Sequence, residues 1–85
     1  METGMRSDAI ARLTSEHLNH VREERGMSMR ELAAATGITL GTLHRQLAYT
    51  TPITFDNAMR VAEALNVDLG QVMHAAQSRY EKLSD

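Results

Sequence analysis

From Ser28 to Ala48 the sequence S-M-R-E-L-A-A-A-T-G-I-T-L-G-T-L-H-R-Q-L-A leaves few backbones open to the chain. Ser28 is placed to cap a helix, and Glu31, three residues on, completes the capping-box signature. Leu32 and Ala33 form that helix's inner face, and alanine is small enough to let a neighbour come close. Gly37 falls where the chain reverses, a site that calls for φ > 0 and therefore for glycine. Ile38 fills the corner, and Thr39 is placed to cap a second helix whose Leu43 and Leu47 share one side. The other side presents Thr39, Gly41, Thr42, His44 and Arg45, all short or hydrogen-bonding. This is the layout of a helix-turn-helix, and a helix so presented fits the major groove of duplex DNA.

The 85 residues suffice for one small domain. A single proline and abundant apolar residues favour a compact helical fold. With no cysteine there is neither a disulfide framework nor a cysteine-based zinc site, which fits a reducing cytosol. No secretory signal is visible, because Arg6, Asp8 and Arg12 break the first apolar cluster. No run approaches the ~18 apolar residues of a membrane span. A soluble cytoplasmic protein is expected. Nine Lys and Arg stand against eleven Asp and Glu, an unusual balance for a partner of nucleic acid. Placement matters more than the total, since charges are screened beyond about 8 Å in physiological salt. Arg30 and Arg45 fall in the helix-turn-helix, whereas the acids crowd the first helix and the chain ends. Few phosphates can then be neutralised, so non-specific affinity is expected to be modest.

Along the chain, residues 1–6 show no pattern and read as a flexible N-terminal arm. Residues 7–85 read as a single domain. Ser7 caps a first helix to about Arg25, with Ile10, Leu13, Leu18 and Val21 as its buried stripe. Gly26 ends it, and Met27 returns to the core. After the helix-turn-helix, residues 49–53 form a loop around Pro52. Thr54 caps a fourth helix with Phe55, Ala58, Met59, Ala62 and Leu65 at helical spacing, and Asn66 stops it. Asp68 with Gln71 gives a second capping-box signature and opens a fifth helix to about Leu83. The fold class is all-α, a five-helix bundle without repeats or linkers.

From Val21 to Val72 the chain resembles the Cro and phage-repressor helix-turn-helix family, also called the xenobiotic-response-element type. The matching pieces are V-R-E-E-R-G-M-S-M-R-E-L-A-A-A-T-G-I-T and P-I-T-F-D-N-A-M-R-V-A-E-A-L-N-V-D-L, in the family's order and spacing. The resemblance implies a lambda-repressor-like DNA-binding fold whose third helix is the recognition helix. It implies that Thr39, Leu40, Gly41 and Arg45 face base edges, while Ser28, Met29, Arg30 and Thr42 face phosphates. Physically, helix N-termini offer free N–H groups to phosphate. Arg45 suits the guanine edge and Leu40 a thymine methyl, and Gly41 permits close approach.

Three features depart from the family pattern. Met29 stands where a glutamine commonly anchors the second helix on the DNA backbone. Gln46 and Leu47 stand where an apolar residue and a glutamate are usual, so Arg22 loses the carboxylate it would pair with. A buried unpaired arginine costs several kcal/mol, so Arg22 is expected to be solvated or to find another partner. Thr50, Thr51 and Thr54 replace the loop's usual lysines and arginines. Their hydroxyls and amides can still bond phosphate, without counterion release.

Other chemistry is poorly supported. His17, His20 and Glu24 lie at i, i+3 and i+7, but without a second ligand cluster they read as a solvated face. No metal or cofactor is expected, and His44 is better placed for DNA than for catalysis. There is no nucleophile with an adjacent base, no phosphate-cradling glycine loop and no paired carboxylates, so an enzyme is not expected. In the fifth helix Leu69, Met73, Ala76, Tyr80 and Leu83 form a heptad-like stripe. Its outer members Met73, Ala76, Tyr80 and Leu83 are expected to make a homodimer. The alternative folds this helix back on the first, covering Tyr80 with Ile10 or Leu13.

The expected function is a regulator, a repressor of phage or plasmid type, binding an inverted repeat of double-stranded DNA as a homodimer. With no room for a sensor domain, its occupancy is expected to follow its concentration. The competing expectation is a protein-interaction module, such as an antitoxin or a regulator's partner.

Overall fold

The computed structural model describes the backbone of residues 2–84 and the side chains of residues 6–83. It contains five helices: α1 (Glu2–Glu24), α2 (Met29–Thr36), α3 (Leu40–Leu47), α4 (Phe55–Leu65) and α5 (Leu69–Ser84). No strand occurs among the described residues. The fold is the expected all-α bundle. Leu18, Val21, Leu32, Leu43, Leu47, Val61, Leu65, Leu69 and Val72 supply the core, so all five helices meet in one apolar interior.

Local sequence sets most of the element ends. α1 stops where Gly26 takes φ +67. There the Gly26 amide donates to the Glu23 carbonyl and the Met27 amide to the Arg22 carbonyl, the nested pair of a Schellman cap. Thr54 Oγ1 accepts from the Asn57 amide at 3.1 Å and starts α4. Asn66 ends α4 in the left-handed region. At α5 the expected reciprocal box is not formed. Asp68 Oδ1 instead accepts from the Gly70 amide at 2.8 Å, a single cap one residue earlier than Gln71.

The N-terminal expectations are corrected. Met1 lies outside the described residues, but Glu2 to Arg6 already form the first turns of α1, so Ser7 sits inside the helix instead of capping it. The reason lies in α5, which packs antiparallel along α1 more extensively than any other pair of helices. The Arg6 guanidinium reaches Glu81 at 3.3 Å and lies 5.6 Å from the Tyr80 ring centre, tying the first turns down. Ile10 and Leu13 are only half-buried, and the fully buried positions in that part of α1 are Thr14 and Ser15. On α4, Phe55 and Met59 turn outward while Val61 takes the core place.

Tyr80 is half-buried beside Arg6 of α1, so α5 lies along α1 as in the alternative, with an arginine at the ring where Ile10 or Leu13 was expected. Ala76 is also corrected: at 3% exposure within the single chain, it belongs to the core and is closed to a second copy. Met73 and Leu83 remain exposed. His20 Nε2 stands 3.1 Å from Glu24 Oε2 on the exposed face of α1. No group of three or more potential metal ligands converges among the described residues, and no helix is long and apolar enough to cross a membrane.

Candidate nucleic-acid interface

α2 begins with a complete capping box. Ser28 Oγ accepts from the Glu31 amide at 3.0 Å, and Glu31 Oε1 accepts from the Ser28 amide at 2.8 Å. The Ser28 amide foremost, and the Ser28 side chain after it, hold the Glu31 carboxyl below the usual carboxylate range. They also place a negative charge at the start of α2, beside the exposed Ser28 and Arg30. Met29 turns inward and packs against the core.

The turn into α3 is fixed from three directions. Gly37 takes φ +77 and donates its amide to the Ala33 carbonyl. Thr36 Oγ1 donates to the Leu32 carbonyl at 2.8 Å and accepts from the Ile38 amide at 3.2 Å. Arg60, held by Asp56 at 3.1 Å, reaches across from α4 to donate Nη1 to the Thr36 carbonyl at 3.3 Å. The bend thus rests on α4 as well as on its own glycine.

The inner face of α3 consists of Leu43, Gln46 and Leu47, all buried. Gln46, one of the departures from the family pattern, accepts a 2.9 Å bond from Asn57 Nδ2 and so links α3 to α4. Arg22, expected to lack its carboxylate, finds local partners. Its Nε donates to Asn19 Oδ1 at 2.9 Å and its Nη1 to the Met27 carbonyl at 2.8 Å, with Glu23 at 3.6 Å. The charge is satisfied within α1 and its cap, without a contribution from α3.

Thr39, Gly41, His44 and Arg45 are exposed on the outer face, and Leu40 and Thr42 are half-buried. Thr39 occupies the N-cap position in extended conformation, but it makes no side-chain capping bond. Its hydroxyl instead donates to Thr42 Oγ1 at 2.9 Å, which corrects the expected cap. Arg45 Nη2 donates to the same oxygen at 3.3 Å. Arg45 Nη1 lies over Gly41, 3.4 Å from where a Cβ would stand. The expected contact residues Thr39, Gly41, Thr42 and Arg45 thus form one connected strip. No acid occurs in α3, and no carboxylate pairs with Arg45 or Arg30 among the described residues.

Thr50 and Thr51 join the strip through backbone. Their amides donate to the Arg45 carbonyl at 2.8 and 3.3 Å, so these N–H groups are taken, while both residues stay exposed. That corrects the expectation of free amides in this loop. Tyr49 makes the turn possible by adopting φ +56, uncommon for a non-glycine residue. The Arg12 guanidinium stacks over its ring at 4.9 Å, bringing a cation from α1 to the end of α3. Neither residue carries a sequence signal for this role, since it depends on a left-handed aromatic and a contact between distant segments.

A glycine turn carrying an exposed helix with hydroxyls, an arginine and no acid defines a helix-turn-helix domain. Residues 17–77 match the sequence model of the Cro/C1-type HTH DNA-binding domain, and the chain belongs to that family. The clasp of Arg6 with Tyr80 and Glu81 lies outside the matched stretch. No curated protein and no solved structure matches the chain.

Proposed function

We propose that the protein is a sequence-specific transcriptional repressor of phage or plasmid type, binding an inverted-repeat operator as a homodimer in the cytoplasm. The observation that carries this reading is the outer face of α3, where an arginine without a carboxylate partner lies beside two hydroxyls on a firmly seated helix. In this reading Thr39, Leu40, Gly41 and Arg45 approach base edges. Arg30, His44 and the Ser28, Thr50 and Thr51 hydroxyls approach the backbone. The Glu31 carboxylate weakens phosphate binding at the start of α2, and the Thr50 and Thr51 amides do not contribute. Sequence discrimination therefore rests on α3.

The experiment is binding of the full chain to fragments of its own upstream region at two salt concentrations. One fragment should be preferred, with a shallow salt dependence because few cations face the DNA. Equal affinity for all fragments rejects sequence-specific regulation. Arg45→Ala should relax discrimination at one base pair by about 1–3 kcal/mol while the fold is retained.

A two-fold pair would set its α3 helices in successive major grooves, about 34 Å apart. Support for pairing comes from exposed apolar residues. Phe55, at 69% exposure, and Met73 border a groove of about 350 Å³ that Ile10, Ile53 and Leu69 also line. Leu83 is exposed to the same degree as Phe55. Met73→Asp with Leu83→Asp should convert a dimer into a monomer in sedimentation. An unchanged mass removes α5 from the interface.

The same apolar surface favours a second reading, a protein-interaction module of the antitoxin or regulator-partner kind. Co-purification with the products of adjacent genes discriminates the two. A stable heteromer that binds no DNA supports the second reading.

A further inference from the structure

We infer that Thr42 is a positioning residue for Arg45, and that together they set α3 to read two adjacent hydrogen-bond acceptors, which in duplex DNA means a guanine edge. The inference rests on the DNA-binding reading above and assigns Thr42 a different task from the phosphate contact that the family resemblance implies.

A threonine hydroxyl has two acceptor lone pairs and one proton. The Thr42 oxygen accepts from Thr39 Oγ1 at 2.9 Å and from Arg45 Nη2 at 3.3 Å, so both lone pairs are taken. What Thr42 still offers outward is a donor. The guanidinium carries five N–H donors and no acceptor, and among the described residues only one of them is engaged. The Thr42–Arg45 end of the strip is therefore donor-only.

The guanidinium also occupies space that Gly41 leaves open. Its Nη1 lies along the helix at van der Waals distance from the place where a Gly41 side chain would begin. A long arginine side chain loses about 1.5–2 kcal/mol of rotamer freedom when fixed. Part of that loss is already incurred in the free protein, because Thr42 holds one end of the fork. Among major-groove edges, only guanine presents two neighbouring acceptors, N7 and O6. Adenine and cytosine each present an amino donor, and thymine presents one acceptor beside a methyl group. A phosphate also presents adjacent acceptors, so the test separates base from backbone.

Duplexes are selected from a randomised pool with the full-length wild-type chain. Affinities are then measured at two salt concentrations for the selected duplex and for versions with single guanine-to-adenine changes. Wild type should lose about tenfold or more at one position in each half-site. Thr42→Val, which keeps the shape but removes the hydroxyl, should lower that guanine preference several-fold with the salt slope unchanged. Thr42→Ser should restore it, and Arg45→Ala should abolish it, with melting curves confirming that all variants are folded. If Thr42→Val weakens every duplex equally and flattens the salt slope, Thr42 contacts phosphate and the inference is overturned. An undiminished guanine preference in Thr42→Val overturns it as well. A wild-type chain that binds duplexes without preference overturns the regulator reading and this inference with it.

Discussion

α2 and α3 are each eight residues long, and each is opened by a hydroxyl residue in extended conformation, yet the two hydroxyls do opposite things. Ser28 bonds its own helix and receives Glu31 in return. Thr39 leaves the α3 amides without a side-chain partner and turns its proton toward Thr42 on the outer face. α2 completes itself with local chemistry. α3 is held from beneath, by Leu43, Leu47 and the Gln46–Asn57 bond, while its upper surface keeps polar groups available. The supporting helix thus closes its own first turn while the presenting helix leaves its first turn open, and both are seated on the core through buried leucines.

The strongest test of that contrast removes the support under α3. Leu43 has no accessible surface, so Leu43→Ala should cost about 2–5 kcal/mol in urea unfolding. The half-buried Leu40 should cost clearly less when truncated, and equal losses would mean that α3 is not anchored from below. Next in size is the cap of α2: Ser28→Ala should cost about 1 kcal/mol. Because Glu31 has a depressed pKa in the folded state, its contribution is present at neutral pH and is lost as pH falls through that depressed value. The acid limb of the stability profile should therefore flatten in Glu31→Gln, which removes the titrating carboxyl, and an unaltered limb would show that the box is not formed in solution.

Gly41→Ala should act in the opposite direction, adding about 0.5–1 kcal/mol of thermal stability. The new Cβ would meet only Arg45 Nη1, at 3.4 Å, an ordinary contact. A destabilised Gly41→Ala would reveal a steric need at that position. The smallest effect belongs to Thr39→Ala, a few tenths of a kcal/mol against the ~1 typical of a working cap. A loss matching that of Ser28→Ala would erase the distinction between the two helix starts.

What could be read from the sequence follows from the range of each interaction. Ser28 with Glu31, Gly26, Gly37, Thr54 and Asn66 act within a few residues of themselves, and each marks its helix end as expected. Ser7 has the same chemistry but is overruled by Arg6, whose partners are more than seventy residues away. The periodicity of α4 is plain, but which face is buried depends on where α1 and α5 lie, so Phe55 and Met59 were legible as helical and not as exposed. On α3 the outward set was visible from spacing alone. The bond between Thr39 and Thr42 was not, because a threonine at an N-cap can satisfy either its backbone or a neighbour. Arg22 was recognisable as lacking a glutamate from α3, but not as turning to Asn19, Glu23 and the Met27 carbonyl, the last of which carries no residue signature.

That local clasp of Arg22 has a consequence for how such a domain can diversify. The seam between α1 and α3 contains no ion pair among the described residues, and its polar link, the Arg12–Tyr49 stack, lies beyond the outward positions of α3. A segment rewritten at every outward position from 39 to 45 could be grafted here without a compensating change in the first helix. The scaffold therefore behaves as a socket, in which new specificities can be exchanged while the frame stays as it is.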